Sequence, residues 1–315
     1  MKKTFQFIKK TYEQWMSNSP FEQSAVIAYY TLFSLPSLLI IIITIAGYFF
    51  ETSDVQGKII SEVASFTGEE TALTIETMIT NARIKGENFL NITVSVLMLI
   101  FGATGAFFQL KKAMNRIWSV RAKKDNLMRM ILDRAISFGM IIVIGFMLLI
   151  SLVISTVVSA LSEYISTYAP QITSYSLEVF NFLLSYIFIG TLFAGIFKLL
   201  PDIKIRWKIT FIGASLTTVL FLLGKYLLGF YFSESDPASV YGGASSVILI
   251  LLWVFYSCLI MFFGAEFTVQ YALFRNETIT PNSFAEPAYY QEMEELEEEK
   301  NRIKKKKKQI DKLST

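Results

Sequence analysis

The stretch FLNITVSVLMLIFGATGAFFQLKKAMNRIWSVRAKKDNLMRMILDR, residues 89–134, decides the fold. Its first part, 89–109, carries no Lys, Arg, Asp or Glu. As helix rising about 1.5 Å per residue, such a run crosses a hydrocarbon core of ~30 Å. The remainder is densely basic: Lys111, Lys112, Arg116, Arg121, Lys123, Lys124, Arg129 and Arg134 stand against Asp125 and Asp133. An apolar run that ends in a Lys/Arg-rich loop reads as a transmembrane helix whose C-terminal end is retained in the cytoplasm.

Working outward, the flanks alternate in sign. Residues 1–18 carry Lys2, Lys3, Lys9 and Lys10 against Glu13 and read as cytoplasmic. Residues 51–88 hold Glu51, Asp54, Glu62, Glu69, Glu70, Glu76 and Glu87 against Lys58, Arg83 and Lys85, and read as external. Further on, 161–178 has only Glu163 and Glu178, 198–209 has Lys198, Lys204, Arg206 and Lys208 against Asp202, and 232–242 has only Glu234 and Asp236. Arg275 opens the last cytoplasmic piece. The fold class expected is therefore an all-α integral membrane protein: a bundle of six transmembrane helices near 24–50, 89–109, 134–160, 179–200, 210–232 and 243–273, with both termini cytoplasmic. A hydrophobic fraction of 53% and a mean hydropathy of +0.47 suit that class better than a soluble domain. The first span is too long, and lacks the small-residue cleavage pattern, for a cleavable signal peptide.

The organisation expected is an amphipathic interfacial helix over 1–18, the six-span domain over 19–275, and a charged cytoplasmic tail, disordered or helical, over 276–315. Phe5, Ile8, Tyr12 and Trp15 recur at helical spacing among lysines, the pattern of a helix lying in the headgroup region. Ser19-Pro20-Phe21-Glu22 predicts a helix start, with Ser19 capping, Pro20 at the first helical position and Glu22 completing a capping box. Pro36 is expected to kink or interrupt this first membrane helix. The external loop 51–88 has room for short amphipathic helices around 55–66 and 70–84. No repeat relates the first three spans to the last three.

The residue inventory narrows the chemistry. The chain has no histidine, which removes Ser-His-Asp and Cys-His catalysis and His-liganded metals. Its one cysteine, Cys258, falls in the sixth span and reads as a packing residue. No phosphate-binding glycine loop or acidic metal cluster is present, so no cofactor and no metal are expected. Polar residues within spans need a reason. The first span has Tyr29 and Tyr30 just before Pro36, and the second has Gln109. Lys225 lies in the fifth span and Glu266 in the sixth, about two turns above its cytoplasmic end. Helical rise separates their depths by ~10 Å, so a direct pair is not expected. Glu266 is matched in depth to Gln109, Lys112 and Arg116, and is expected to pair with a base of that segment, as either a substrate or proton site or an ion pair that only fixes register.

Three stretches carry a resemblance to a known family. AVIAYYTLFSLPSLL at 25–39, GATGAFFQLKKAMNRIWSV at 102–120 and YGGASSVILILLWVFYSCLIMFFGAEFTVQYA at 241–272 resemble the signatures of the YihY/BrkB family of bacterial inner-membrane proteins. The likeness adds Asn115, Arg116 and Trp118 of the second signature, and Tyr241, Gly242, Gly264 and Glu266 of the third, to the candidate positions. It implies a bacterial plasma-membrane location and a role in envelope integrity, with resistance to serum killing in one branch. The label ribonuclease BN, inherited by many members, is a misassignment that the absence of histidine and the dispersal of carboxylates argue against here. The function expected is transport or flipping of a lipid-like or envelope-linked substrate; the alternatives are a structural scaffold of the envelope and, third, an enzyme. Expected partners are the bilayer itself, with anionic lipid at the N-terminal helix and the basic tail, and a homo-oligomer; no specific nucleic acid is expected.

Overall fold

The computed structural model describes residues 2–47, 89–122, 173–235, 245–283 and 285–290, with isolated positions between 56 and 80 and at 139, 293 and 300. Of the span expected near 134–160 only residue 139 is described, and Tyr241 and Gly242 lie outside the described residues. Among the described residues, six long helices run in chain order: α1 (Lys2–Ser17), α2 (Pro20–Gly47), α3 (Phe89–Ile117), α4 (Thr173–Leu199), α5 (Trp207–Ser235) and α6 (Ser245–Phe274). Three of these contain stretches long and apolar enough to cross a membrane: Phe182–Leu199, Trp207–Tyr231 and Val247–Phe274. α2 and α3 are 28 and 29 residues long. The described positions between 56 and 80 are all helical, and Ile59, Ile60, Ala72 and Ile75 among them join the apolar core.

α6 is the central element, packed on α5, α2, α1 and α3, while α2 pairs with α3 and α4 with α5. Small residues set how closely these helices approach. A Cβ added to Gly102 of α3 would lie 2.8 Å from the Tyr30 carbonyl and the Ser34 nitrogen of α2, and one added to Gly105 would enter the Tyr30 ring. Tyr30 is thus a packing residue seated in a glycine notch, while its neighbour Tyr29 is 54% exposed.

The α5–α6 contact is reciprocal. Thr268 of α6 lies over Gly213 of α5, and Thr217 of α5 lies over Gly264 of α6. Each threonine hydroxyl donates to the carbonyl four residues back on its own helix, Thr217 to Gly213 and Thr268 to Gly264, both at 2.7 Å. Neither hydroxyl is left bare in an apolar contact, and the missing Cβ atoms let the backbones close together. The two segments, Gly213-Ala214-Ser215-Leu216-Thr217 and Gly264-Ala265-Glu266-Phe267-Thr268, share one local pattern, far shorter than a repeat of whole spans.

Helix ends correct several expectations. Among the described residues, the non-glycine residues with positive φ, Ser19 (52°), Ser119 (51°) and Asn276 (54°), each lie just past the end of a helix. At α6, the Glu277 N–H reaches the Ala272 carbonyl and the Asn276 N–H the Leu273 carbonyl, both at 3.0 Å, which is a left-handed helix cap. Ser19 plays the same part for α1, sending its N–H to the Met16 carbonyl at 3.3 Å. That N–H is therefore not available to Glu22, which is exposed, and the capping box expected there does not form. Pro20 does occupy the first position of α2, and α2 continues as helix through Pro36 without interruption.

The basic end of the bundle is not purely helical. β1 (Val120–Ala122) pairs antiparallel with β4 (Ala285–Pro287), and β2 (Ile203–Lys204) with β3 (Thr280–Pro281). The chain after α6, grouped from sequence with a charged tail, here returns to bind both the exit of α3 and the α4–α5 turn.

Gly213→Val and Gly264→Val each force Cβ and Cγ atoms into a threonine of the facing helix. Each is expected to destabilise the protein by about 1–3 kcal/mol, the usual cost of overpacking. Gly229→Ala, where an added Cβ meets nothing within 4 Å, is the control that should leave the detergent-solubilised melting temperature unchanged or raised.

Candidate functional site

Two buried polar clusters occupy the basic end, where α3, α4 and α6 finish and α5 begins. In the first, Lys111 and Asn115 sit one turn apart on α3, which extends two turns past the expected span end at residue 109. Asp202 lies in the α4–α5 turn and Asn282 beside β3. The three residues Lys111, Asn115 and Asp202 are 7%, 9% and 6% exposed. The Lys111 ammonium lies 3.2 Å from Asp202 Oδ1. Asn115 clasps the same residue twice: its Nδ2 donates to Asp202 Oδ2 at 2.9 Å, and its Oδ1 accepts the Asp202 backbone N–H at 2.8 Å. Asn282 adds a side-chain donor to Oδ1 at 3.1 Å and sends its backbone N–H to the Asp202 carbonyl at 2.9 Å.

Burial by itself raises the Asp202 pKa, but the Asn115 hydrogen bond, the Lys111 charge and the Asn282 hydrogen bond outweigh it and hold the carboxyl below the usual carboxylate value. The group is an anion held by donors from two other chain segments, α3 and the stretch after α6, so that three segments meet at it. Such a knot positions those segments, and its hydrogen-bonding capacity is spent on the protein itself.

The second cluster centres on Glu266. It is 1% exposed, within α6. Its Oε1 accepts from Gln270 Nε2 at 2.8 Å, and its Oε2 from Asn18 Nδ2 at 3.1 Å. Asn18 is the residue at the α1–α2 break, and its amide also donates to the Gln14 carbonyl at 3.1 Å. No lysine or arginine among the described residues forms an ion pair with Glu266. The expected pairing with a base of the second span is thus corrected. Lys112 and Arg116 are exposed, Gln109 bonds Gln23 of α2, and the one base of that stretch that turns inward, Lys111, is taken by Asp202. α1 folds back onto α6 and puts an amide where a cation was expected. Its seat is aromatic: Phe7 meets Phe267 and Phe274 at 5.4 and 5.8 Å, and Trp15 meets Phe263 at 5.7 Å.

Beside this cluster lies a small cleft lined by Trp15, Asn18, Pro20, Gln23, Ala113, Ile117 and Phe262. The remaining candidates distribute around it or apart from it. Trp118 is a core residue at the end of α3, Gly264 serves the α5–α6 crossing, Lys225 lies in α5 and is not a partner of Glu266, and Pro36 sits within α2. Asp202, Lys111, Asn282, Asn18, Gln23 and Gln270 were not singled out from sequence. The one usable signal was Asp202 itself, a lone acid among Lys198, Lys204, Arg206 and Lys208.

A sequence profile described as virulence factor BrkB matches residues 11–287. Similar proteins include UPF0761 membrane proteins of Alteromonas mediterranea, 27% identical over 77% of this chain and 79% of the relative, and of Pseudoalteromonas atlantica, 25% identical over 81% and 82%. Another, from Psychromonas ingrahamii, is 25% identical over 85% of this chain and 88% of its own length. No solved structure matches the chain.

Removing one member of the first knot strands a buried charge. Asp202→Ala is expected to cost about 3–5 kcal/mol, and Lys111→Met combined with Asp202→Leu to recover much of that, as read from thermal unfolding in detergent. The pH dependence carries a definite sign. A folded-state pKa below the unfolded value of about 3.9 gives stability that is present above that pH and is lost as pH falls through the lower folded value. Asp202→Asn should flatten this acid limb of the stability curve.

Proposed function

The chain belongs to the virulence factor BrkB family, and from that premise we propose that it is a non-enzymatic membrane protein that moves a lipid-like or envelope-linked substrate across the bilayer. The supporting observation is Glu266: a carboxylate inside an apolar helix, almost fully buried, held by two neutral amides and by no cation among the described residues within ion-pair distance. A helix that only needs to pack has no use for so costly a group. One of its two amide donors comes from Asn18 at the break between an amphipathic surface helix and α2, so movement of that break changes the environment of the carboxylate directly. Under this reading the protein resides in a bacterial inner membrane with six spans and both termini in the cytoplasm, an arrangement supported by the alternation of basic and acidic loops. α1 then meets anionic lipid: Phe5, Ile8, Tyr12 and Met16 form an exposed apolar stripe beside Lys9 and Lys10.

A scaffolding role is the second reading, favoured by the Lys111–Asp202 knot, whose hydrogen bonds are spent on structure. Translocation of a fluorescent phospholipid in proteoliposomes separates the two. Under the transport reading, wild-type protein accelerates translocation over protein-free liposomes, and Glu266→Gln, which keeps the shape and an acceptor oxygen, falls to the protein-free rate while eluting as a folded species. Equal rates for the two proteins would remove Glu266 from the path, and no wild-type activity in any lipid composition would favour the scaffold.

A further inference from the structure

We propose that the outer face of the α4–α5 hairpin, at its basic end, binds an anionic phospholipid of the leaflet at that end, with Lys204 and Lys208 at the headgroup and the acyl chains laid along two exposed rows. The rows follow from helical spacing. On α5, Trp207, Phe211, Ser215, Val219, Leu223 and Leu227 recur every fourth residue and all are exposed. On α4, Leu183, Ile187, Thr191 and Leu199 are exposed in the same rhythm, and the half-buried Gly195 completes the row. From Trp207 to Leu227 the helix rises about 30 Å, the thickness of a hydrocarbon core.

The two polar side chains in these rows are engaged within the protein. Thr191 donates its hydroxyl to the Ile187 carbonyl at 2.7 Å, and the Ser215 and Tyr186 hydroxyls, 2.5 Å apart, bond each other across the two helices. Such a face suits hydrocarbon, where polar groups have to be satisfied internally. Gly195 hollows the α4 row, since a Cβ added there meets nothing within 4 Å. It lies between Tyr186, which bonds Ser215, and Lys198, whose ammonium stands 5.4 Å from the centre of the Trp207 ring. Phe211 occupies the matching stretch of α5, so the hollow opens along the seam beside the aromatic end of the α5 row.

That end also supplies an interface anchor and charge. Trp207 and Phe211 stack at 5.6 Å with their planes 28° apart, and both rings are about half exposed. An exposed indole closing an apolar row marks the headgroup level. Lys208 follows Trp207 directly, Lys204 precedes it in β2, and both are exposed. The acids of this corner are already occupied: Asp202 is held by Lys111, and Glu277 by Arg206 at 2.9 Å. Neither Lys204 nor Lys208 forms an ion pair among the described residues, so positive charge stands uncompensated beside the apolar rows. A free anion uses the lysines and ignores the rows, and an uncharged lipid does the reverse. An anionic phospholipid uses both. The face shares no residue with the Glu266 cluster and goes beyond the transport reading.

The test uses the full chain purified in detergent. Native mass spectrometry should show phosphatidylglycerol retained in preference to a galactolipid with the same acyl chains, and Lys204→Gln combined with Lys208→Gln should weaken that retention roughly tenfold. Equal retention by wild type and the folded double variant, or equal retention of the two lipids, overturns the site. Gly195→Leu, which fills the hollow without meeting a neighbour, should weaken retention as well; unchanged retention overturns the hollow as the acyl seat. Millimolar glycerol 3-phosphate should not displace the lipid, and displacement overturns the lipid as the source of the anion. Should the double variant fail to fold, phosphatidylglycerol with a photoreactive headgroup decides the matter on wild-type protein: adducts within 198–211 support the site, and adducts confined elsewhere sink it. No retained lipid, together with a dimer that Phe211→Ser dissolves, assigns the face to a second copy of the chain instead. Glu266→Gln should retain the lipid as wild type does; an equal loss there moves the lipid to the Glu266 cluster and overturns this face.

Discussion

Lys111 and Asp202 bury opposite charges against each other where α3 ends and α4 turns into α5, and the basic end of the molecule is arranged round that pair. Two buried ions are tolerable only when their remaining donors and acceptors are filled. Asn115 and Asn282 fill those of the carboxylate, and in doing so they fix the α4–α5 turn to α3 and draw the chain after α6 back across both. The strand pairs β1–β4 and β2–β3 fit the same geometry, since Asn282 lies between the two returning strands. An anchor of this kind leaves neighbouring groups at fixed places, among them the row of α3 that faces the N-terminal break.

The α5–α6 crossing solves a different problem. Association of helices in lipid gains little from hydrophobic burial, because lipid tails are as apolar as leucine, and close packing has to supply the stability. Gly213 and Gly264 provide the hollows, while Thr217 and Thr268 provide the knobs and satisfy their own hydroxyls. Glu266 lies between Gly264 and Thr268 in sequence, so the turn that carries the buried carboxylate is also the turn locked against α5. Glu266 is therefore held from two sides, by Gln270 of its own helix and by Asn18 of the α1–α2 break.

Hydropathy and loop charge made the helical membrane class and the placement of most long helices legible, because apolar length and Lys/Arg clustering are properties of contiguous sequence. Family membership was legible as well, from three local signatures. Partner choice was not. Depth matching put Glu266 opposite Arg116 and Lys112, yet depth says nothing of azimuth, and on α3 it is Lys111 that turns inward. Asn18 escaped notice because nothing in a linear reading reveals that α1 folds back on α6. Ser19 looked like a helix start and proved to be the left-handed end of the preceding helix, since a serine before proline suits either description until the hydrogen bonds are known. The strands after α6 were hidden by their shortness and by the charged residues beyond them.

The returning segment also imposes an order of assembly. β1 and Asp202 leave the ribosome well before their partners Glu286 and Asn282, which come only after α6. During synthesis the α3 exit and the α4–α5 turn must wait with unpaired edges and a half-filled carboxylate, and closure falls to residues made after α6. The basic end is thus completed as one late event, after the α6 helix has been delivered to the membrane, and a chain released before that point would carry every long helix described here yet lack the clasp that holds their ends together.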